Sequence, residues 1–264
     1  MKKILLSLFS AIILFSFFIL PVKAGTVMLG AKGWYAEWDS AFDKALADVL
    51  IKELGPGWAA TVKPGTGYLL GPVIGYQTDD KVWSVSGALM LFSKFNNKTE
   101  YESSGVPVDT KTKMNRRDID LALSFAATDF FKIFVGYKYI TSKSDVNFDD
   151  GSNFYSMKSK NSIPTAGVAF AFQLTEKIAA GIQFGILYIM SDYKMAVAGG
   201  DYEEVKVDNG YGVNLEPNLS FLVSESVILQ TGLRYQIYQV KFTDWGVTKN
   251  DRFFGITLGV LYIF

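Results

Sequence analysis

The stretch Tyr211-Gly-Val-Asn-Leu-Glu-Pro-Asn-Leu-Ser-Phe-Leu-Val223 alternates residue by residue. Its odd positions are Tyr211, Val213, Leu215, Pro217, Leu219, Phe221 and Val223. Its even positions are Gly212, Asn214, Glu216, Asn218 and Ser220, with Leu222 as the exception. A period of two marks a β-strand with two unlike faces. The end of the chain repeats it, with Phe254, Ile256, Leu258, Val260, Tyr262 and Phe264 on one face and Gly255, Thr257 and Gly259 on the other. The same alternation recurs at 117–126, 131–140, 163–174, 178–190 and 227–237, more loosely at 66–77 and 81–95, and most weakly at 26–38. Counting each run once predicts about ten strands.

The connections alternate too. Thr78-Asp-Asp-Lys, Thr128-Asp-Phe, Thr175-Glu-Lys and Ser224-Glu-Ser read as tight turns. Between them lie longer polar stretches at about 39–65, 96–115, 144–161, 195–210 and 243–250, expected as loops. Pro72, Pro164 and Pro217 fall inside predicted strands, where each removes a ladder donor and predicts irregular pairing.

Alternation alone does not say which face meets solvent, because a soluble barrel or sandwich also alternates with its bulky face inside. Two features turn the bulky face outward. The lesser face is Gly, Ala, Ser, Thr and Gln with few charges, which suits a crowded concave lumen better than a convex wetted surface. The aromatic residues also segregate to the strand ends. Tyr76, Trp83, Phe125, Phe131, Phe172, Phe221, Tyr262 and Phe264 lie beside the short turns; Tyr68, Tyr137, Tyr139, Tyr188, Tyr211, Tyr235 and Phe254 lie toward the long connections. Two such belts roughly ten residues apart on tilted strands enclose about 25 Å, the height of a lipid-facing band with interfacial girdles.

Composition narrows the chemistry. The 264 residues include no Cys and no His, with 26 basic and 26 acidic side chains. Disulfides, thiolate nucleophiles, Ser-His pairs and imidazole metal sites are therefore excluded. The charge balance argues against nucleic acid, which demands a clustered basic excess. No cofactor or metal is implied. At the start, Lys2 and Lys3 precede an uncharged run from Ile4 to Leu20, and Val22 and Ala24 stand at the −3 and −1 positions of a cleavage site. This is the layout of a secretory signal peptide over 1–24, with 25–264 the barrel domain. An uncleaved anchor is the other reading, although 17 apolar residues fall short of a usual span.

The alternation over 26–264 resembles that of the bacterial outer-membrane β-barrel class, and Leu258-Gly-Val-Leu-Tyr-Ile-Phe264 is similar to that class's C-terminal assembly signal. The resemblance implies an all-β, transmembrane, up-and-down antiparallel barrel in the outer membrane, monomeric and in contact with membrane lipid. It also implies that Val260, Tyr262 and Phe264 are read by the barrel-assembly machinery during insertion. Enzymes of the class use a His, so their activities do not carry over.

On the inward face the alternation places Lys32, Lys94, Arg116, Asp118, Asp120, Lys132, Lys138, Glu216 and Arg234. Both signs are present, so pairing across adjacent strands is expected: Asp118 and Asp120 beside Lys132 and Lys138, and Glu216 beside Arg234. The same residues would set the selectivity of a pore. Asp118 and Asp120 are a conceivable acid–base pair, against the plainer reading as ion-pair partners. Ten strands lie nearer to filled barrels than to water-filled ones, so a closed or very narrow lumen is expected, with small residues leaving a thin wet path.

The segment 39–57 stands apart. Ala41, Phe42, Ala45, Leu46, Val49 and Leu50 recur at helical spacing. Ser40 with Asp43 suits an N-cap, Lys44, Asp48 and Lys52 can pair at i, i+4, and Gly55-Pro56 ends the turn. Such an amphipathic helix in the first external loop could pack on its own loop, close the mouth as a lid, or lie on the membrane. The stretch Asp145–Gly151 falls short of a calcium loop, because its glycine is one place late and Ser156 stands where a bidentate Glu belongs. Two functions remain open: a structural or narrow porin-like barrel for small solutes, or a surface binding module acting through its external loops.

Overall fold

The computed structural model describes residues 25–55, 58–103, 106–148, 151–197 and 199–264. The expected signal segment 1–24 lies outside them. In chain order the elements are β1 (Thr26–Asp39), α1 (Ala41–Leu54), β2 (Trp58–Gln77), β3 (Trp83–Met90), β4 (Phe92–Ser103), β5 (Val106–Ala126), β6 (Phe131–Phe148) and β7 (Asn153–Thr175). There follow β8 (Ile178–Val197), β9 (Glu203–Val205), β10 (Val207–Asp208), β11 (Gly210–Ser224), β12 (Val227–Phe242) and β13 (Val247–Ile263).

All described pairings are antiparallel, and the ring closes because β1 pairs with both β13 and β2. β9 and β10 lie off the ring, and β3 and β4 together form one stave between β2 and β5, which leaves ten staves. The expected ten-stranded barrel is therefore the fold. Closure matters physically, because a spanning sheet has no water to satisfy an open edge.

Short turns close one end. Thr78, Thr128 and Thr175 each receive a backbone N–H on the side-chain oxygen, from Trp83 (3.1 Å), Phe131 (3.1 Å) and Ile178 (3.1 Å). At the opposite end the strands overrun what their polar sequence suggested. Among the described residues, 96–103, 106–115, 144–148, 153–161 and 195–197, with parts of 203–210, are paired strands rather than loops, so the wall rises well above the lipid band. Polar residues there face water on one side only, which a strand serves as well as a loop does.

Each of the three prolines meets a break in pairing, and further register shifts fall at Lys63/Thr66, Val146/Asn147, Gln173/Thr175 and Leu222/Ser224. On β2 the register shifts across Gly71 and Pro72, opposite the break between β3 and β4. The bulge places Leu91 and Phe92 both outward. It also reverses the side on which Lys94 emerges: this residue, expected inward, is exposed on the outer wall beside Tyr68, while Phe95 turns in. Pro164 and Pro217 each leave a gap in one ladder without changing its register.

The outward face carries the apolar row. Leu258 is 61% exposed and Phe264 68%, in line with Phe254, Ile256, Val260 and Tyr262. Ring pairs such as Trp83 with Phe125 at 5.0 Å and Tyr188 with Tyr211 at 5.3 Å mark the two girdles. Above the upper girdle the same positions stay outward, but the apolar side chains change face. Outward positions become Lys158, Lys160, Asp192, Lys194, Gln239 and Lys241, whereas Tyr155, Met157, Tyr193, Tyr238, Val240 and Phe242 turn inward and are buried. Where the exterior is water the apolar side chains must leave it, and the barrel gains an internal core.

Candidate functional site: a lumen sealed in three tiers

The inward residues occupy the lumen in layers. The lowest is a chamber of about 440 Å³ at the short-turn end, lined by polar residues that include Ser84, Ser124, Gln183 and Gln230, and by Lys132. Glycines make room for the larger neighbours. A Cβ at Gly167 would stand 2.6 Å from the Phe134 ring, which leans into the chamber wall.

Across the top of the chamber runs a belt of ion pairs. Asp120 and Lys138 are register partners on β5 and β6, and their side chains contact directly. Lys32 on β1 reaches Glu216 on β11. Arg234 on β12 joins the two pairs: Nη2 donates to Asp120 Oδ2 at 3.3 Å, and Nε lies 3.7 Å from Glu216 Oε2 and donates to Asn214 Oδ1 at 3.3 Å. The expected neighbours are thus largely brought together, with two changes. Asp118 pairs along its own strand with Arg116, in a bidentate contact at 2.6 and 2.7 Å. Lys132 forms no ion pair among the described residues. The chamber therefore presents Lys32, Lys132, Lys138 and Arg234 against Asp120 and Glu216, an excess of two positive charges.

The second tier is aromatic, and sequence reading missed it. Trp34, Trp38 and Phe253 project inward with Leu69, Met90, Phe95 and Met114. Trp38 stacks on Phe253 at 4.8 Å, and the Arg116 guanidinium lies 4.0 Å from the Phe253 centroid. Arg234 covers Trp34 at 4.9 Å, so cation–π contacts tie this tier to the ion belt below. The signal was present in the weak alternation of β1, whose tryptophans at 34 and 38 occupy what elsewhere is the small-residue face.

The third tier is α1, which sits inside the external mouth as a lid. Ser40 caps it, its Oγ accepting from Asp43 N at 3.2 Å, and Gly55 at φ 87° ends it with an N–H to Ile51 O. Ala41, Phe42, Ala45 and Leu46 pack into the core formed by the upper strands. Phe42 stacks on Tyr193 at 5.8 Å and meets Phe242 edge-on at 5.9 Å. The lysine and aspartate expected to pair within the helix instead hold it to the wall: Lys44 to Asp39 at 3.2 Å and Asp48 to Lys249 at 2.5 Å.

Two buried carboxyls above the lipid band fasten the lid. Asp43 accepts from Tyr155 OH and Asn97 Nδ2, each at 3.1 Å, and its burial still pushes its pKa up. Asp251 accepts the Trp38 indole N–H at 2.6 Å and the backbone N–H of Ala41. Burial pushes the Asp251 carboxyl up to about 7, against the pull of the Trp38 bond and the Arg116 charge. Beneath the lid the remaining void is about 10 Å³, room for about one water. The upper half of the described lumen is filled by side chains that the small-residue pattern below did not foreshadow.

No family model matches the chain, and no curated protein matches it. Solved structures do. The outer membrane protease OmpT from Escherichia coli is 11% identical over 92% of this chain and 98% of its own, with a TM-score of 0.54. The translocator domain of the autotransporter NalP from Neisseria meningitidis is 9% identical over 94% and 92%, with a TM-score of 0.47. The likeness is one of fold. With the outward apolar band between two aromatic girdles, the likeness to the first of these gives the chain the fold of the outer-membrane β-barrels.

Proposed function

We propose that the protein is a closed, gated barrel whose inner chamber receives small anionic solutes from the short-turn, periplasmic side, and that it conducts when the lid and the aromatic tier shift. The observation that carries this reading is the unmatched positive charge of a chamber sealed from above. A merely structural barrel has no use for Lys132, which forms no ion pair among the described residues at the chamber's lower end. Lys132 is half-exposed to the chamber, where a mobile anion can supply its counter-charge. The reading is non-enzymatic. The chain has no His, Asp118 is held by Arg116, and Asp120 is held by Lys138 and Arg234. The barrel acts as a monomer bathed in lipid, and Val260, Tyr262 and Phe264, all on the outward row, serve as its assembly signal.

Planar-bilayer recording tests the proposal. Wild-type protein is expected to be silent for most of the record. A variant lacking residues 40–57 and carrying Trp38→Ala and Phe253→Ala is expected to open and to prefer anions, and Lys132→Glu in that background to weaken or reverse the preference. Steady wild-type conductance, or cation preference with the chamber lysines intact, would overturn it.

A further inference from the structure

On the outer wall of β6, β7 and β8, just above the upper girdle, lysines stand in register. Lys143 pairs with Lys158, and Lys158 with Lys194, on three adjacent strands. All three are exposed and share the outward face with Lys160, one rung below, and Arg117 beyond it on β5. Like charges directly opposite one another across a sheet are destabilising. Lys160 and Lys194 each face a carboxylate across the sheet, Asp192 and Glu204, whereas Lys158 faces only lysines, so the patch keeps an excess of one positive charge. Elsewhere at this height the outward cations are held in close ion pairs, Arg252 at 3.5 Å from Glu37 and 3.6 Å from Asp39, and Lys241 at 2.8 Å from Asp208. Beside the lysine row, β9 extends the sheet along β8, and a groove of about 460 Å³ there is lined by Lys158, Lys160, Lys194, Tyr202, Asp192 and Glu204. Lys158 Nζ sits 3.8 Å from the centre of the Tyr202 ring. Lys143 is partly compensated by Asp145 at 3.0 Å. Lys158, Lys160 and Lys194 form no ion pair among the described residues.

The height identifies the occupant. Tyr139 and Tyr188 hold the upper girdle on β6 and β8, and Lys160 is the next outward residue above Ser162, which faces Tyr139. Successive outward residues rise about 7 Å along a strand, less along the membrane normal because of tilt. The headgroup layer is about 5–8 Å deep on each side of the hydrocarbon. The lysines therefore stand at headgroup level, and their flexible stems can bring the ammonium groups down to it. We infer that this groove is a binding site for the phosphorylated headgroup of an outer-leaflet lipid, with Lys158, Lys160 and Lys194 as its phosphate contacts.

Thermal unfolding in neutral detergent micelles tests this. Bis-phosphorylated lipid A is expected to raise the Tm of the wild-type protein, a dephosphorylated form of the same lipid to leave it unmoved, and inorganic phosphate at the same concentration to leave it unmoved. Lys158→Gln/Lys160→Gln/Lys194→Gln should lose more than half of the shift, and Lys241→Gln on β12 should keep it. An equal shift from inorganic phosphate or from the dephosphorylated lipid would overturn the assignment, and so would an undiminished shift in the triple variant. The wild-type comparisons decide the matter even if the triple variant fails to fold.

Discussion

Asp251 concentrates the problem of burying charge in a barrel mouth. It joins β13 to Trp38 at the end of β1 and to the first backbone N–H of α1, so one carboxyl holds wall and lid together. Arg116 attracts its charge, while Tyr193 and Tyr238 contribute low-dielectric surroundings more than charge, their own hydroxyls being pushed up by burial. The folded-state value near 7 exceeds the usual carboxylate value of 3.8, so the native protein holds this proton more tightly than the unfolded chain does. Its contribution to stability is then fully present below about pH 4, declines as pH rises toward 7, and is level above that. A shift of about three pH units sets an upper bound on the order of 4 kcal/mol. Asp251→Asn keeps an acceptor for Trp38 and cannot ionise. Melting followed by near-ultraviolet circular dichroism from pH 4 to 8 should show a wild-type Tm that falls between 4 and 7 and a variant Tm with a much shallower slope. Equal slopes would remove the buried carboxyl from the account. Asp251 was invisible in the sequence because its neighbours come from β1, α1 and β5, and no local pattern announces such a meeting.

At the scale of elements, α1 was legible and its destination was not. Helical spacing, the Ser40 cap and the Gly55 stop are local properties. Whether the apolar stripe meets lipid, its own loop or the barrel depends on what faces it, and that depends on the inverted apolar pattern of the upper strands. The inversion is written in the sequence: Tyr238, Val240 and Phe242 alternate with Gln239 and Lys241, out of step with Leu229, Leu233 and Tyr235 below. Reading those upper stretches as loops hid it. Lys94 failed for a related reason, since one bulge residue at Leu91 moves every later side chain of β4 to the other face. The lid shares the upper core but contributes no strand to the closed hydrogen-bonded ring, so it should unseat without unfolding the barrel. Phe42→Ala removes a fully buried ring, a loss of about 3–5 kcal/mol to whichever unit it belongs. Trypsin cleavage at Lys52, followed by mass spectrometry, should accelerate at least tenfold, while the heat-modifiable gel shift of the barrel stays within a few degrees of wild type. A barrel that melts together with the lid would show one cooperative unit.

The whole molecule is two barrels in series on largely continuous staves, with β9 and β10 standing above β11 between β8 and β12. Below the upper girdle the large side chains face out and the lumen holds small residues, ions and a chamber; above it the large side chains face in and are sealed by a helix. A single physical rule produces both, because each outward side chain matches its surroundings, oil below and water above. The lower half was readable because strict alternation, tight turns and girdles are all short-range signals. The filled upper lumen was not, since filling is a matter of which side chains meet across the ring. The rule makes an asymmetric prediction for one substitution at two heights. Leu258 lies near the middle of the outward row on β13, and Gln239 lies outward on β12 above the girdle. Leu258→Arg puts a charge at the bilayer midplane and should cost about 2–4 kcal/mol; Gln239→Arg puts the same charge in water and should cost about 0–1. Equilibrium unfolding in urea from lipid vesicles reads both. If the two variants cost the same, the bulky row does not face lipid. In micelles of a small, loosely ordered detergent the gap between them should narrow, since water reaches a micelle interior more easily than a bilayer's, and that narrowing separates a lipid effect from a defect in strand packing.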